Sequence, residues 1–162
     1  MTGQRGTTRE FTITREFAAP RELVFRAWTD PEHLTRWYGP RGCTTPLESI
    51  AADVRPGGTW RATMVVDATG QEFPTGGFYL EVRAPERLVF TWREPGGNAE
   101  SVVTIELADL GDGRTAMTFH QAGFTREDTC QGVHAGWSSA FERLTEHLTD
   151  PDKTDPDKES RS

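Results

Sequence analysis

No apolar run in the 162 residues approaches the ~20 that a bilayer-spanning helix requires, so a helical membrane protein is excluded. Cysteine is nearly absent. Cys43 and Cys130 are the only two, too few and too far apart for a disulfide framework, and no secretory signal precedes them. The expectation is a soluble protein of a reducing cytoplasm. Lysine is missing until Lys153 and Lys158, so every earlier cation is arginine, which genome composition explains without a functional cause. The net charge is −7, of which the last thirteen residues supply −2. An acidic domain without a basic stripe argues against nucleic acid and against an anionic membrane as partners. There is no GxGxxG or phosphate loop, so a nucleotide cofactor is not indicated. His33, His120, His134 and His147 show no metal-ligand spacing, and no CxxC or HxH accompanies them, so no metal is expected.

What is present is one long amphipathic pattern and a series of short alternating ones. From Thr125 to Thr149, Val133, Trp137, Ala140, Phe141, Leu144 and Leu148 recur at the spacing of one helix face. Thr125 with Asp128 reads as its capping box and Pro151 lies just past its end. Upstream, Phe11, Ile13 and Phe17 alternate with polar residues as a half-buried strand, and Arg15 falls on the apolar side. Pro20 opens a helix with Leu23, Val24, Ala27 and Trp28 on one face. Asp30-Pro31 caps a second short helix carrying Leu34 and Trp37. Six strands follow: Leu47 to Val54; Trp60, Ala62, Met64 and Val66 facing one way; Phe78, Leu80 and Val82; Leu88, Phe90 and Trp92; Val103, Ile105 and Leu107; Met117, Phe119 and Gln121. Tyr79 and His120 are assigned outward, and hairpin turns such as Asp109–Gly113 separate the strands.

The predicted order is β-α-α-β-β-β-β-β-β-α. This is an α+β fold in which a curved antiparallel sheet of about six to seven strands wraps the last helix. Residues 9–149 form one domain, 1–8 a loose arm, and 150–162 a charged, disordered tail.

Five stretches then resemble a known family: Arg15–Pro40, DVRPGGTW from Asp53 to Trp60, Phe78–Trp92, HQAGF from His120 to Phe124, and the Gly136-Trp137 pair with Phe141 and Leu144. Together they resemble the START-like, helix-grip superfamily (polyketide cyclase, SRPBCC), and within it the branch named after the activator of Hsp90 ATPase. The resemblance implies a mostly apolar pocket between sheet and last helix that takes lipids, hormones, polyketides or other apolar molecules. Some members catalyse cyclisation or dehydration. No universal catalytic motif carries over, and fold alone does not assign function.

The candidate ligand-binding residues follow from alternation: Trp60, Met64, Phe78, Phe90, Trp92, Phe119, Gln121, Val133, Trp137, Phe141 and Arg15. The aromatic rings line a cavity or fill a core. Arg15 and Gln121 either orient a polar ligand group or satisfy internal partners. No catalytic residue is assigned. The resemblance implies a histidine at Gln121 in many relatives, and Gln cannot act as a general base at neutral pH. Ser138 and Ser139 lack a nucleophile elbow. Gly132 and Gly136 each cost a helix about 1 kcal/mol against Ala, so they are expected to serve a close approach or space above a pocket. The function expected is binding of a small apolar or aromatic ligand. A cyclase/dehydratase-type enzyme and a chaperone ATPase activator or regulatory interaction domain are the alternatives. The protein would be a monomer or a homodimer through a sheet edge.

Overall fold

The computed structural model describes residues 9–93 and 100–149. The expected arm at Met1–Thr8, the loop at Pro95–Asn98 and the tail from Asp150 to Ser162 lie outside the described residues. Strand β1 (Arg9–Phe17) leads into helices α1 (Arg21–Thr29) and α2 (Pro31–Trp37). The Asp30 carboxylate accepts the Glu32 N–H at 3.0 Å, and Pro31 takes the first helical position, where its missing N–H costs nothing. Next come β2 (Cys43–Thr44), a 3₁₀ turn at Leu47–Ser49 and β3 (Ala51–Ala52). The long strands follow: β4 (Thr59–Val66), β5 (Glu72–Arg83), β6 (Arg87–Arg93), β7 (Glu100–Gly111) and β8 (Arg114–Phe124). Helix α3 (Glu127–Thr149) ends the fold.

The strands form one antiparallel sheet in the order β1-β8-β7-β6-β5-β4-β2, with β3 on β4. Helix α3 packs on β1, β8 and α2, which gives the expected helix-grip arrangement. The β7–β8 hairpin closes with Gly111 opposite Arg114. That leaves a two-residue turn, Asp112-Gly113, at φ +58° and +74°. Positive φ at both positions defines the type I′ turn that matches strand twist, and Asp-Gly is its preferred pair.

Three expectations need correction. The strand expected over Leu47–Val54 is a 3₁₀ turn followed by a two-residue strand. Pro46 starts that turn, and its carbonyl accepts both the Ser49 N–H (2.9 Å) and the Ser49 hydroxyl (2.7 Å), which curls the chain before it can extend. An additional short strand, β2, pairs with Val65 and Val66 instead. The capping box at Thr125 is also displaced. Helix α3 begins at Glu127, and Asp128 pairs with Arg126 and accepts the Thr129 N–H.

The third correction concerns the faces of β5. Phe78 (49% exposed) and Leu80 (52%) point outward, whereas Tyr79 is buried. The register shows why. Trp60 stands opposite Gly77, so Gly77 and Tyr79 share its inner face and Phe78, opposite Thr59, takes the outer one. Trp60 lies across β5 at Gly77 and donates its indole N–H to Thr91 O on β6 at 3.0 Å. A Cβ at Gly77 would fall 2.0 Å from Thr91 O, so only glycine fits. A bulge between Tyr79 and Glu81 then inserts an extra residue, and Val82 returns to the inner face opposite Leu88.

The remaining strands keep their expected faces. Leu88, Phe90, Trp92, Val103, Ile105, Leu107, Met117, Phe119 and Gln121 are all buried. The centre of the core is aromatic. Trp28 meets Trp37 edge-on at 4.8 Å between centroids, and Phe119 meets Trp137 at 4.8 Å and Phe141 at 5.2 Å. Such pairs contribute about 0.5–1.5 kcal/mol each beyond burial, and they fix the middle of α3 on the sheet.

Candidate ligand cavity

Toward its N-terminal end α3 no longer packs so closely. A cavity of about 210 Å³ lies there. The loop after α2 (Tyr38, Gly39, Pro40) forms one wall. Met64 on β4, Phe73 on β5 and Trp92 on β6 form another, and Gly132, Val133, Gly136, Trp137 and Ala140 of α3 form the roof. A Cβ built on Gly132 or Gly136 would meet nothing within 4 Å. These two glycines therefore leave space and make no close approach. A second void, of only about 20 Å³, lies among Trp28, Tyr38, Trp60, Tyr79 and Phe90, with Ala51 and Arg61 at its edge.

The polar groups at the cavity wall are ordered among themselves. The Thr75 hydroxyl has one proton, and it lies 2.6 Å from Ala62 O, which can only accept. The Tyr38 hydroxyl, 2.8 Å from Thr75 Oγ1, must therefore donate to it. Tyr38 Oη in turn accepts the Trp92 indole N–H at 3.1 Å. Burial pushes the Tyr38 hydroxyl up to about 12. Among the described residues it is the only titratable group on the wall, and it is neutral at physiological pH.

The wall at Gly39–Cys43 is held by α3. Arg143 donates to Gly39 O (2.8 Å), Cys43 O (3.2 Å) and Pro40 O (3.3 Å) through one nitrogen, and to Arg36 O (3.3 Å) through the other. Burial first, and then neighbouring Arg41, lowers the Arg143 pKa. Arg41 N–H donates to Ser139 Oγ at 2.9 Å, and the Arg41 guanidinium pairs with Glu142 and Glu146. Ser139 is thus a structural acceptor.

A family model for the activator of Hsp90 ATPase homolog 1-like protein matches residues 18–149, a span that holds strands β2 to β8, all three α-helices and every residue named as lining the cavity. The chain belongs to this family. Solved relatives include a Chromobacterium violaceum protein, 28% identical, with 86% of this chain and 96% of that one covered at a TM-score of 0.78. A Nitrosomonas europaea protein is 30% identical over 86% and 94%, at 0.73. An Hsp90 activator from Plasmodium falciparum is more distant in shape: 25% identical over 71% and 73%, at 0.53. No curated protein sequence matches.

In this member of the Hsp90-activator-homologue family the expected site residues divide. Met64, Trp92, Val133 and Trp137 line the cavity. Trp60 and Phe90 line the small second void. Phe119 and Phe141 are fully enclosed core residues. Gln121 is also fully buried: its Nε2 donates to Ser101 Oγ at 2.8 Å, Ser101 donates to Trp92 O, and its Oε1 has no partner among the described residues. Phe78 lies on the outer face, for the register reason given above. Arg15 does sit on the inner face, opposite Met117, but on the outermost strand. Its guanidinium donates to Thr14 O at 3.0 Å and does not reach the cavity.

Tyr38, Gly39, Pro40 and Phe73 were missed. Tyr38 follows a short helix and Phe73 precedes the recognisable part of β5, so neither belonged to a scored alternation. His33 and His147, 114 residues apart, were not expected to meet, yet their rings are joined by a 2.9 Å hydrogen bond in the core. Burial lowers the His33 pKa. Among the described residues no group of three or more His, Cys, Asp or Glu could hold a metal ion, and no helix is long and apolar enough to cross a membrane.

Proposed function

We propose that this chain is a binding module for a small apolar ligand housed between the first turns of α3 and the sheet. The supporting observation is a single one: a cavity of about 210 Å³ whose roof is kept open by two helix-interior glycines. Gly132 and Gly136 together forgo about 2 kcal/mol of helix stability. A cavity of about 150 Å³ already accepts benzene, so this one has room for a substituted ring. The reading takes residues 9–149 as one domain acting in the cytoplasm, where the free thiols of Cys43 and Cys130 stay reduced. It includes no chemistry: the Tyr38 proton is committed to Thr75, and Gln121 does not titrate. The test is calorimetric titration with neutral one-ring compounds, alongside a Gly136→Leu variant that fills the roof. Saturable binding that Gly136→Leu abolishes supports the reading. No binding by wild type, or binding that the variant leaves intact, sinks it.

A second reading is a protein-docking role of the kind the family name denotes. Phe78, Leu80 and Val102 are exposed apolar side chains on β5 and β7, clustered on the outer face of the sheet around Thr91. Stimulation of a purified Hsp90 ATPase by wild type but not by Phe78→Ser/Leu80→Ser supports this role, and no stimulation by wild type removes it.

A further inference from the structure

The chain has five tryptophans, and the hydrogen-bond partners of their indole N–H groups separate them. Trp37 donates to Ala27 O at 2.9 Å, Trp60 to Thr91 O and Trp92 to Tyr38 Oη. Trp28 and Trp137 have no such partner among the described residues, and both line a void. Trp28 Nε1 is fully enclosed beside the second void of about 20 Å³, which has room for one water. Trp137 is 5% exposed and lines the larger cavity, and its Nε1 is not among the enclosed unpartnered atoms. An indole N–H is a donor only, and a buried donor without an acceptor is costly. That cost applies to enclosed Trp28 Nε1; Trp137 Nε1 is not enclosed, and an acceptor for it has to come from what fills the cavity that Trp137 lines.

The rest of the wall narrows what that guest can be. The two other side-chain donors there, Trp92 Nε1 and the Tyr38 hydroxyl, are already committed within the ordered network. Among the described residues no Arg, Lys or His lines the cavity, and neither does Asp or Glu. Arg143 stands behind the Gly39–Pro40 wall with its N–H groups on backbone carbonyls. A carboxylate brought into this space would give up its hydration and meet one neutral N–H and no cation, an arrangement that strongly favours leaving it in water.

We infer that the cavity selects a neutral, compact, one- or two-ring ligand carrying a single hydrogen-bond acceptor, a carbonyl or ether oxygen, and that Trp137 Nε1–H is the group that receives it. This rests on the binding reading above and names its ligand class. Trp137 is well suited to the task. Its ring is fixed by Phe119 at 4.8 Å, Phe141 at 5.6 Å and Tyr38 at 5.7 Å, so the donor is held in place before a ligand arrives.

Three molecules of one shape test the assignment: cumene (apolar), acetophenone (neutral, one acceptor) and benzoate (anionic), each titrated calorimetrically into wild type and Trp137→Phe at pH 7.5. Phenylalanine keeps an aromatic ring and removes the N–H. One neutral hydrogen bond corresponds to about a fivefold change in affinity. Trp137→Phe is therefore expected to weaken acetophenone about fivefold more than it weakens cumene, while benzoate shows no saturable binding to wild type. Equal weakening of acetophenone and cumene, or benzoate binding as tightly as acetophenone, overturns the inference while leaving a binding cavity standing. Failure of all three to bind wild type overturns the binding reading itself. The comparison of benzoate with acetophenone needs only wild type, so it decides the selection against charge even where Trp137→Phe does not fold.

Discussion

Replacing Gly132 and Gly136 together with alanine is expected to stabilise the protein and weaken its ligand binding at the same time. Both lie well inside α3, which starts at Glu127, so both carry the full helix-interior penalty of glycine, about 0.8–1.0 kcal/mol each. No steric cost opposes the change, because a Cβ at either position meets nothing within 4 Å. The sum is about 2 kcal/mol. In a domain of this size 1 kcal/mol moves the midpoint by roughly 2–4 °C, so the double variant should melt roughly 4–8 °C higher. Each added methyl also enters the roof of the cavity and takes volume from a ligand. Thermal unfolding followed by circular dichroism in ligand-free buffer gives the first quantity, and cumene titration gives the second. A lowered midpoint would show that the glycines serve a contact that the structure does not contain. A raised midpoint with undiminished affinity would show that the space over Gly132 and Gly136 is not where the ligand sits.

Other outcomes follow from the same contacts. Tyr38→Phe leaves the buried Trp92 N–H without its acceptor and should cost about 1–3 kcal/mol in urea unfolding; a loss under about 0.5 kcal/mol would contradict the ordered network. Arg143→Met keeps the aliphatic stem but strips the donor from three loop carbonyls. A loss of about 2 kcal/mol is expected, with faster hydrogen exchange at the Cys43 amide, and unchanged exchange there would show that the loop holds itself. His33 is held neutral by burial, with Asp30, Glu32, Arg26 and Arg36 as its charged surroundings and the His147 ring against it. Because its folded pKa lies below the unfolded 6.5, the unfolded state binds more protons as pH falls beneath 6.5. The stability contributed by neutral His33 is thus complete above that pH and lost as pH drops toward the folded pKa. His33→Gln should flatten the fall of the urea midpoint between pH 7.5 and 5, and an identical slope in the variant would remove His33 from the acid response.

Much of this architecture could be read from alternation and turns, because most strands bury one face and the period of two is strict. The reading failed where the chain departs from strict pairing. Phe78 and Leu80 look like an inward set only if β5 is counted back from Val82 without a bulge, and a bulge leaves no mark in composition. The decisive residue was Gly77, which lets Trp60 cross the strand and sets the phase; its role depends on a neighbour seventeen positions away. For the cavity, Met64, Trp92, Val133 and Trp137 were legible as inward-facing residues of regular elements. Tyr38 and Phe73 were not, since one follows a helix and the other begins a strand. Arg15 was placed on the correct face, but distance from the cavity along the sheet is not encoded in alternation. The His33–His147 contact joins two helices at opposite ends of the chain and could not be found from local spacing.

The division of the aromatic residues into core and cavity follows from the geometry of a helix laid across a sheet. In the middle of α3, Trp137, Phe141 and Leu144 meet Phe119 and the α1–α2 pair, and the space is filled. Toward the helix N-terminus the positions that would fill it are Gly132 and Gly136, and the loop held by Arg143 walls the space together with Met64, Phe73 and Trp92 of the sheet. Trp137 belongs to both regions. Its ring is locked by the packed core, whereas its N–H has no hydrogen-bond partner among the described residues. The packed core thus fixes the orientation of the Trp137 N–H before a ligand arrives. Stability and recognition are carried by different residues on either side of that ring. This is why substitutions in the roof can raise the first while lowering the second, and why removing the Trp137 N–H should change which ligands bind more than whether the cavity exists.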